Sequence, residues 1–189
     1  MLRVGQVPGE GLRDRLLETA LELASPGLTL AIPSLRAAAR ACGVSATAVY
    51  RYFASQGDLN RAILLRIDAA FVAAMTEADD PRLPPVERLR RLAAAYLEWG
   101  VAHPGLYQLR FESADQLGAD YVYSGAADDV LGGIGRLARA AGADARVAAE
   151  DLWVGMHGVV SLRIHKPHMA WPDIETQVDR LFALWGFAN

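Results

Sequence analysis

Cysteine is nearly absent from this sequence, and long apolar runs are lacking. The single cysteine, Cys42, excludes a disulfide framework and a thiolate metal site, and it suits a reducing compartment. No uninterrupted apolar run approaches the roughly 20 residues that a membrane-spanning helix needs. Residues 1–10 have too few consecutive apolar residues for a signal peptide. We therefore expect a cytoplasmic protein without membrane contact.

Alternating strand patterns are also lacking, and helical periodicity recurs in most segments of the chain. Hydrophobic residues make up 52% of the 189 residues, which is enough to bury a sizeable core. The predicted fold is all-α. Helices are expected at about 11–24, 35–41, 45–53, 58–75, 86–102, 106–111, 127–141 and 144–165, and again near the C-terminus.

Residues 33–53, PSLRAAARACGVSATAVYRYF, are predicted to form two short helices joined by a tight turn. Ser34 can cap the first helix and Ser45 the second, because a serine hydroxyl accepts from the amides of a first helical turn. Gly43 can adopt the left-handed conformation that ends a helix. This spacing is typical of a helix-turn-helix, whose second helix enters the major groove of DNA.

The outer face of the second helix carries no carboxylate. Threonine and arginine can meet base edges, small residues permit close approach, and tyrosine hydroxyls can donate to phosphate. An ordinary solvated helix face is the alternative for such a surface. The predicted DNA-binding residues are Thr47 and Arg51 for bases, Ser34, Arg36, Tyr50 and Tyr52 for phosphates, and Ser45, Ala46, Ala48 and Gln56 beside them.

Charge is distributed unevenly along the chain, whose formal net charge is −3. Residues 1–52 contain six arginines and four acidic residues, whereas the remainder contains 13 basic and 18 acidic residues. The small positive excess therefore lies with the predicted helix-turn-helix, as attraction to phosphate requires.

The run from Leu28 through Leu59 resembles the DNA-binding domain of TetR-family transcriptional regulators. The likeness rests on the turn sequence GVS, on two tyrosines with one residue between them, and on the phenylalanine that follows. Gln56 stands where this family usually has a phosphate-contacting lysine. The resemblance implies a DNA-binding regulator, and we expect a repressor that binds a palindromic operator.

The segments YLEWGVAHPGLYQLRFES and LWVGMHGVVSL resemble a TetR subgroup whose regulatory domain carries a Trp-His-Gly signature. The matching residues here are Trp153, His157 and Gly158. This resemblance implies a homodimer with a small-molecule pocket in its C-terminal domain, and it does not imply which molecule binds.

Several aromatic residues cluster in the C-terminal half, where they either line a cavity for an apolar effector or fill the core. His157 is either a satisfied core imidazole or the polar group that orients such a ligand. The irregular stretch 113–124 is a candidate to line or cover the cavity. The predicted ligand-binding residues are Tyr96, Trp99, Tyr107, Phe111, Trp153, Met156 and His157.

The helix at 144–165 is apolar nearly all the way round, so we expect its own domain to cover one side and a second subunit the other. With the last helix it would form a four-helix dimer interface. The predicted interface residues are Val159, Val160, Ile174, Val178, Leu181, Phe182 and Trp185.

These features predict a flexible arm at 1–10, a helix-turn-helix domain at 11–57, a connecting helix at 58–76 and a regulatory and dimerisation domain at 85–189. Effector binding would move the connecting helix and change the separation of the two DNA-reading helices.

Other chemistry has little support in the sequence. His165 and His168 are spaced HxxH, but Pro167 interrupts the helix, so a zinc site is not expected. The GxGxxA pattern at 133–138 follows no predicted strand, and we expect no nucleotide cofactor. Two alternatives remain, a weakly specific or architectural DNA-binding dimer without an effector, and an all-helical enzyme that uses His157.

Overall fold

The computed structural model describes residues 11–28, 32–112, 126–142 and 148–187. These residues form helices and no strands, which confirms the predicted all-α fold. None of their helices is long and apolar enough to cross a membrane. The helices are α1 (Leu12–Ala24), α2 (Leu35–Ala41), α3 (Ala46–Val49), α4 (Gln56–Ala78), α5 (Pro85–Ala102), α6 (Pro104–Phe111), α7 (Ala126–Ala140), α8 (Ala149–His165) and α9 (Ile174–Leu184).

Helices α1 to α3 form an N-terminal unit whose turn chemistry follows the sequence. The Ser34 hydroxyl accepts from the amide of Ala37 at 3.1 Å, and the Ser45 hydroxyl accepts from the amide of Ala48 at 3.2 Å. Gly43 has a φ of 69°, the left-handed conformation that a side chain would disfavour. Both caps and the turn therefore form as predicted.

The second helix of this motif is shorter than predicted. The α3 helix ends at Val49 and not at Phe53. The amides of Tyr52 and Phe53 both donate to the carbonyl of Val49, at 2.9 and 3.0 Å, because the last turn tightens toward 3₁₀ geometry. The backbone therefore continues to turn as far as Phe53, although only Ala46–Val49 is assigned as α-helix.

The connecting helix α4 is 23 residues long and reaches from the N-terminal unit into the C-terminal half. It begins at Gln56 rather than Asp58, because the Ser55 hydroxyl caps it by accepting from the Asp58 amide at 3.1 Å. Along its length it packs against α1, α5, α6 and α7. A rigid helix of this kind couples the two halves of the molecule.

Helix α5 lies at the centre of the C-terminal half and packs against α4, α7, α8 and α9. Gly100 permits this arrangement, since a Cβ there would lie 2.5 Å from the side chain of Val160 on α8 and 2.9 Å from Tyr107 on α6. The small size of Gly100 therefore allows Tyr107 of α6 to lie close to α8.

Two further helix starts differ from the prediction. Helix α6 begins at Pro104 rather than Leu106, because proline lacks only an N–H that the first turn does not need. Helix α8 begins at Ala149 rather than Asp144, since Ala148 is extended and donates to the Asp151 carboxylate at 2.9 Å. The predicted arm at 1–10 and the stretch 113–124 lie outside the described residues.

Candidate functional site

The exposed side chains of α2, α3 and the turn after α3 form what we call the recognition surface. Tyr50 and Tyr52 are 54% and 41% exposed, and no acidic residue occurs between positions 33 and 57. Ala48 is half-buried beside them. The predicted residues that are exposed are Ser34, Arg36, Ser45, Ala46, Thr47, Tyr50, Arg51 and Tyr52.

Two side chains beneath the recognition surface fix its position. Val49 is completely buried and Phe53 is 1% exposed, so both anchor α3 and its last turn to the core of the N-terminal unit. The guanidinium of Arg13 lies over the Phe53 ring, 5.2 Å from its centroid. Burial on one side thus leaves the polar residues of α3 on the other.

The two capping serines have hydrogen-bonding capacity left for DNA. Ser34 and Ser45 each use the hydroxyl oxygen as the acceptor of a cap. The hydroxyl proton can still be donated, and both residues are exposed. Each serine can therefore cap its helix and donate to a phosphate at the same time.

The side-chain amide of Gln56 makes three hydrogen bonds within the subunit. Its Oε1 accepts from the amide of Leu35 at 2.9 Å, and its Nε2 donates to the carbonyl of Pro33 at 3.2 Å and to Asn60 at 2.8 Å. These bonds occupy the amide group and tie the start of α4 to the start of α2. The place of Gln56 among the DNA-binding residues stays a prediction, and within the subunit its side chain is a clamp between the two helices.

The structure brings most of the predicted ligand residues together in a hydrogen-bonded aromatic cluster. The Trp153 Nε1–H donates to the Tyr96 hydroxyl at 3.1 Å. The hydroxyl oxygens of Tyr96 and Tyr107 are 2.9 Å apart, and that of Tyr107 is 2.7 Å from Nδ1 of His157. The chain of bonds joins α5, α6 and α8, and we call it the aromatic relay.

His157 is the end of the aromatic relay. Burial lowers its pKa, while the nearby Glu112 carboxylate opposes that shift, so the imidazole is neutral near pH 7. When Tyr96 donates to Tyr107, and Tyr107 donates to Nδ1, the ring hydrogen is on Nε2. Nε2 makes no hydrogen bond to another described residue.

Phe71 connects α4 to this cluster. Its ring makes edge-to-face contacts with Tyr96, Trp99 and Phe111, at centroid distances of 5.6, 5.3 and 5.5 Å. Met156, the remaining predicted ligand residue, is 2% exposed. The connecting helix α4 is therefore in direct contact with the aromatic cluster through Phe71.

A buried ion pair that sequence reasoning missed lies between α4 and α6. Asp68 accepts from Nε of Arg110, and both side chains are nearly inaccessible to solvent. The sequence did contain a sign of this pair, because an acidic residue stands between Leu64 and Phe71 on the apolar side of α4. Such an acid is almost never buried without a partner.

A cavity of about 470 Å³ opens between α4, α5 and α7. Its walls are mostly apolar, with Met75, Leu92 and Ile134 among them, and the carboxylates of Asp79 and Asp129 also line it. The sequence did not identify this cavity, because its walls come from helices that are distant along the chain. None of the predicted ligand residues belongs to its lining.

The residues predicted for the dimer interface lie inside the subunit. Val160 and Phe182 are completely buried, and the others are buried or half-buried, namely Val159, Ile174, Val178, Leu181 and Trp185. Their assignment to a dimer interface stays a prediction. The apolar side chains that α8 and α9 leave exposed are Val154, Leu162 and Leu184, at 62, 53 and 80%.

The two histidines near the C-terminal end of α8 have different surroundings. The ring of His165 contacts the carbonyl of Ser161 at 2.8 Å, while His168 is exposed. In this part of the chain no group of three or more His, Cys, Asp or Glu side chains is placed to hold a metal ion.

Comparisons with known proteins agree with this architecture. The family model described as "Tetracyclin repressor-like, C-terminal domain" matches residues 89–184, just over half of the chain. None of the curated proteins matches the chain in sequence.

Solved structures of similar fold cover nearly the whole chain. A TetR-like transcriptional regulator from Rhodococcus sp. RHA1 is 21% identical over 96% of this chain and 97% of its own, with a TM-score of 0.70. The TetR-family regulator PfmR of Thermus thermophilus is 19% identical over 93% and 100%, with a TM-score of 0.69. The ketosteroid transcriptional regulator KstR2 of Mycobacterium tuberculosis is 18% identical over 95% and 94%, with a TM-score of 0.64.

Proposed function

Because the chain belongs to the TetR family of transcriptional regulators, we propose that it is a repressor that binds a palindromic operator as a homodimer and is released by a small molecule. The observation that carries this proposal is the recognition surface, a capped, exposed helix-turn-helix without acidic residues between positions 33 and 57. Thr47 and Arg51 would contact base edges in the major groove. We propose no catalytic activity for it.

Phosphate contacts would surround this reading helix. Ser34 and Ser45 would donate their hydroxyl protons, Tyr50 and Tyr52 would donate from the turn, and Arg36 would add charge. Gln56 would act indirectly, because its bonds to Pro33 and Leu35 set the angle of α2 against α4. The first turn of α4 adds a helix N-terminus next to the DNA.

The dimer would form through the exposed faces of α8 and α9. Val154, Gly158 and Leu162 are four residues apart and therefore follow one face of α8. Outside the backbone of α8 itself, a Cβ added at Gly158 would meet no atom of the described residues within 4 Å, so a partner helix could approach closely there. Leu184 of α9 would add a further apolar contact.

The effector would bind beside the aromatic relay. His157 Nε2 would donate to a carbonyl or hydroxyl oxygen of a mostly apolar molecule, and the rings of Phe111 and Trp153 would pack on its body. Because Tyr107 bonds to His157 and Phe71 contacts Phe111, the ligand would displace α6 and α4 together. The likeness to the Trp-His-Gly subgroup, through Trp153, His157 and Gly158, stays a prediction.

One observation favours a second candidate, an architectural DNA-binding dimer without an effector. Tyr96 and Tyr107 are 2% and 0% exposed, and their hydroxyls bond to each other. A satisfied core of this kind does not require a ligand. In this case dimerisation and DNA binding remain, and no small molecule alters them.

Fluorescence anisotropy with labelled DNA from upstream of the protein's own coding region tests the proposal. Binding that survives an excess of unrelated competitor DNA, and that a small apolar carbonyl compound reverses, would support a ligand-released repressor. Binding that resists competitor but responds to no compound in a broad screen favours the second candidate. If unrelated DNA competes as strongly as the upstream DNA itself, the result contradicts sequence-specific repression.

A further inference from the structure

A second concave site lies where the N-terminal unit meets the C-terminal half, and we call it the junction groove. It has a volume of about 490 Å³ and is formed by α1, α4 and α6. Leu21, Ile67, Ala70 and Leu106 give it apolar walls. A site of this size is large enough for a small organic molecule, and it shares no residue with the aromatic relay.

The backbone near the junction groove is held at unusually close range. A Cβ at Gly105 would lie 1.9 Å from the carbonyl oxygen of Ala24 and 2.4 Å from that of Gly27. Only glycine permits this approach, so the start of α6 rests directly on the end of α1. The relative position of two of the three walls of the groove is therefore set by direct backbone packing.

The charges around the groove favour a cation. Glu18 is paired with Arg66, whose Nη2 and Nε lie 2.6 and 2.9 Å from Oε1. Glu22 is exposed and has no ion-pair partner among the described residues. Burial lowers the pKa of His103, which keeps that imidazole neutral near pH 7. One negative charge is thus left over beside an apolar wall.

We propose that the junction groove binds a small lipophilic cation, with an apolar body against Leu21, Ile67 and Leu106 and an ammonium group at Glu22. The ligand would contact α1, α4 and α6 at once and so bridge the N-terminal unit and the C-terminal half. This site is separate from the effector site proposed at His157, and amine binding to it can be measured in the absence of DNA.

Isothermal titration calorimetry with 4-phenylbutylammonium, in the absence of DNA, tests this site, and 4-phenylbutanol serves as the uncharged probe. We expect one molecule of the amine to bind per chain, about fivefold more tightly than the alcohol, as a partly exposed charge pair allows. In Glu22→Gln the preference for the amine should disappear. Glu98→Gln, which removes an exposed carboxylate of α5, should bind like the unaltered protein.

Two variants that place a bulky side chain in one or the other concave site, both on α4, locate the binding site. Ala70→Phe, at an exposed position in the groove, should abolish amine binding, whereas Thr76→Phe, in the cavity between α4, α5 and α7, should leave it intact. The proposal is overturned if the amine does not saturate the protein, if Glu22→Gln keeps the preference, or if Thr76→Phe and not Ala70→Phe blocks binding. Circular dichroism confirms that each variant is folded.

Discussion

In the proposed complex, some side chains of the recognition surface would read bases and others would hold the DNA backbone. Arg51 carries a planar fork of donors that can bond to two acceptors of guanine, whereas the hydroxyl of Tyr50 would donate to a phosphate. Both are exposed, on the turn that follows α3. The small side chains of Ala46 and Ala48 leave room for the helix to approach the bases.

Replacement of Arg51 by alanine should weaken specific binding far more than non-specific binding, by about 1–3 kcal/mol if the side chain reads guanine. Tyr50→Phe should weaken both by a similar amount, because it removes a phosphate contact. Anisotropy titrations with operator and random DNA measure the two losses, and Arg136→Ala, at an exposed position of α7, serves as a charge-matched control. Equal losses on both kinds of DNA for Arg51→Ala would make it a phosphate contact.

The His157 imidazole should make stability depend on pH. Burial lowers its pKa in the folded chain, and in the unfolded chain the value is about 6.5. The unfolded state therefore binds the proton first, so stability is fully present above about pH 6.5 and is lost as the pH falls toward the folded pKa. In His157→Gln the free energy of unfolding should fall less steeply below pH 6.5, as measured by urea denaturation. His168→Gln, at an exposed position, should follow the unaltered protein, and an unchanged slope in His157→Gln would contradict this account.

At the scale of whole elements, α4 and α6 are joined by the buried pair of Asp68 and Arg110. A charge left alone in this interior would be costly, whereas a surface pair contributes little. The pair therefore fixes the packing of the connecting helix against α6, which also touches α1 and carries Tyr107 of the aromatic relay.

Asp68→Asn should lower the free energy of unfolding by about 3–5 kcal/mol, because it removes the buried carboxylate to which Nε of Arg110 donates. Asp58→Asn on the same helix removes an exposed carboxylate 3.8 Å from Arg61 and should change stability by less than about 1 kcal/mol. Denaturant titration compares the two variants. Equal effects would show that the buried pair does not hold the helices together.

What could be predicted from the sequence depended on the separation of the interacting residues along the chain. The caps at Ser34 and Ser45 join residues three positions apart, so local pattern was sufficient. The clamp made by Gln56 spans 21 positions, and the pair of Asp68 and Arg110 spans 42. Which residues meet over such distances is decided by helix packing, which a single sequence does not display.

The proposed dimer surface shows the same limit on prediction. Helical periodicity correctly identified apolar faces on the last two helices, but it could not tell which face the subunit itself covers. Phe182 and Val160 are buried within the subunit, and Val154 and Leu162 are exposed. Packing against α5 accounts for the difference, since α5 contacts both α8 and α9.

For the whole molecule, the proposed dimer predicts a specific effect at Gly158. Gly158→Trp should separate the subunits without unfolding them, because no described residue outside the backbone of α8 has an atom within 4 Å of a Cβ at that position. Size-exclusion chromatography with light scattering should then report the mass of one chain, 20.4 kDa. Ala73→Trp, at an exposed position of α4, should stay dimeric. A dimer that survives Gly158→Trp would place the interface elsewhere.

Selection of binding sites from random double-stranded DNA tests the central claim most directly, since it does not depend on where the natural operator lies. We expect the purified protein to enrich one sequence with two half-sites related by two-fold symmetry and separated by whole turns of the helix. The Arg51→Ala variant should either fail to enrich that sequence or enrich one with weaker base preferences. Enrichment of no sequence over many rounds, with binding that depends only on salt, would contradict a sequence-specific regulator.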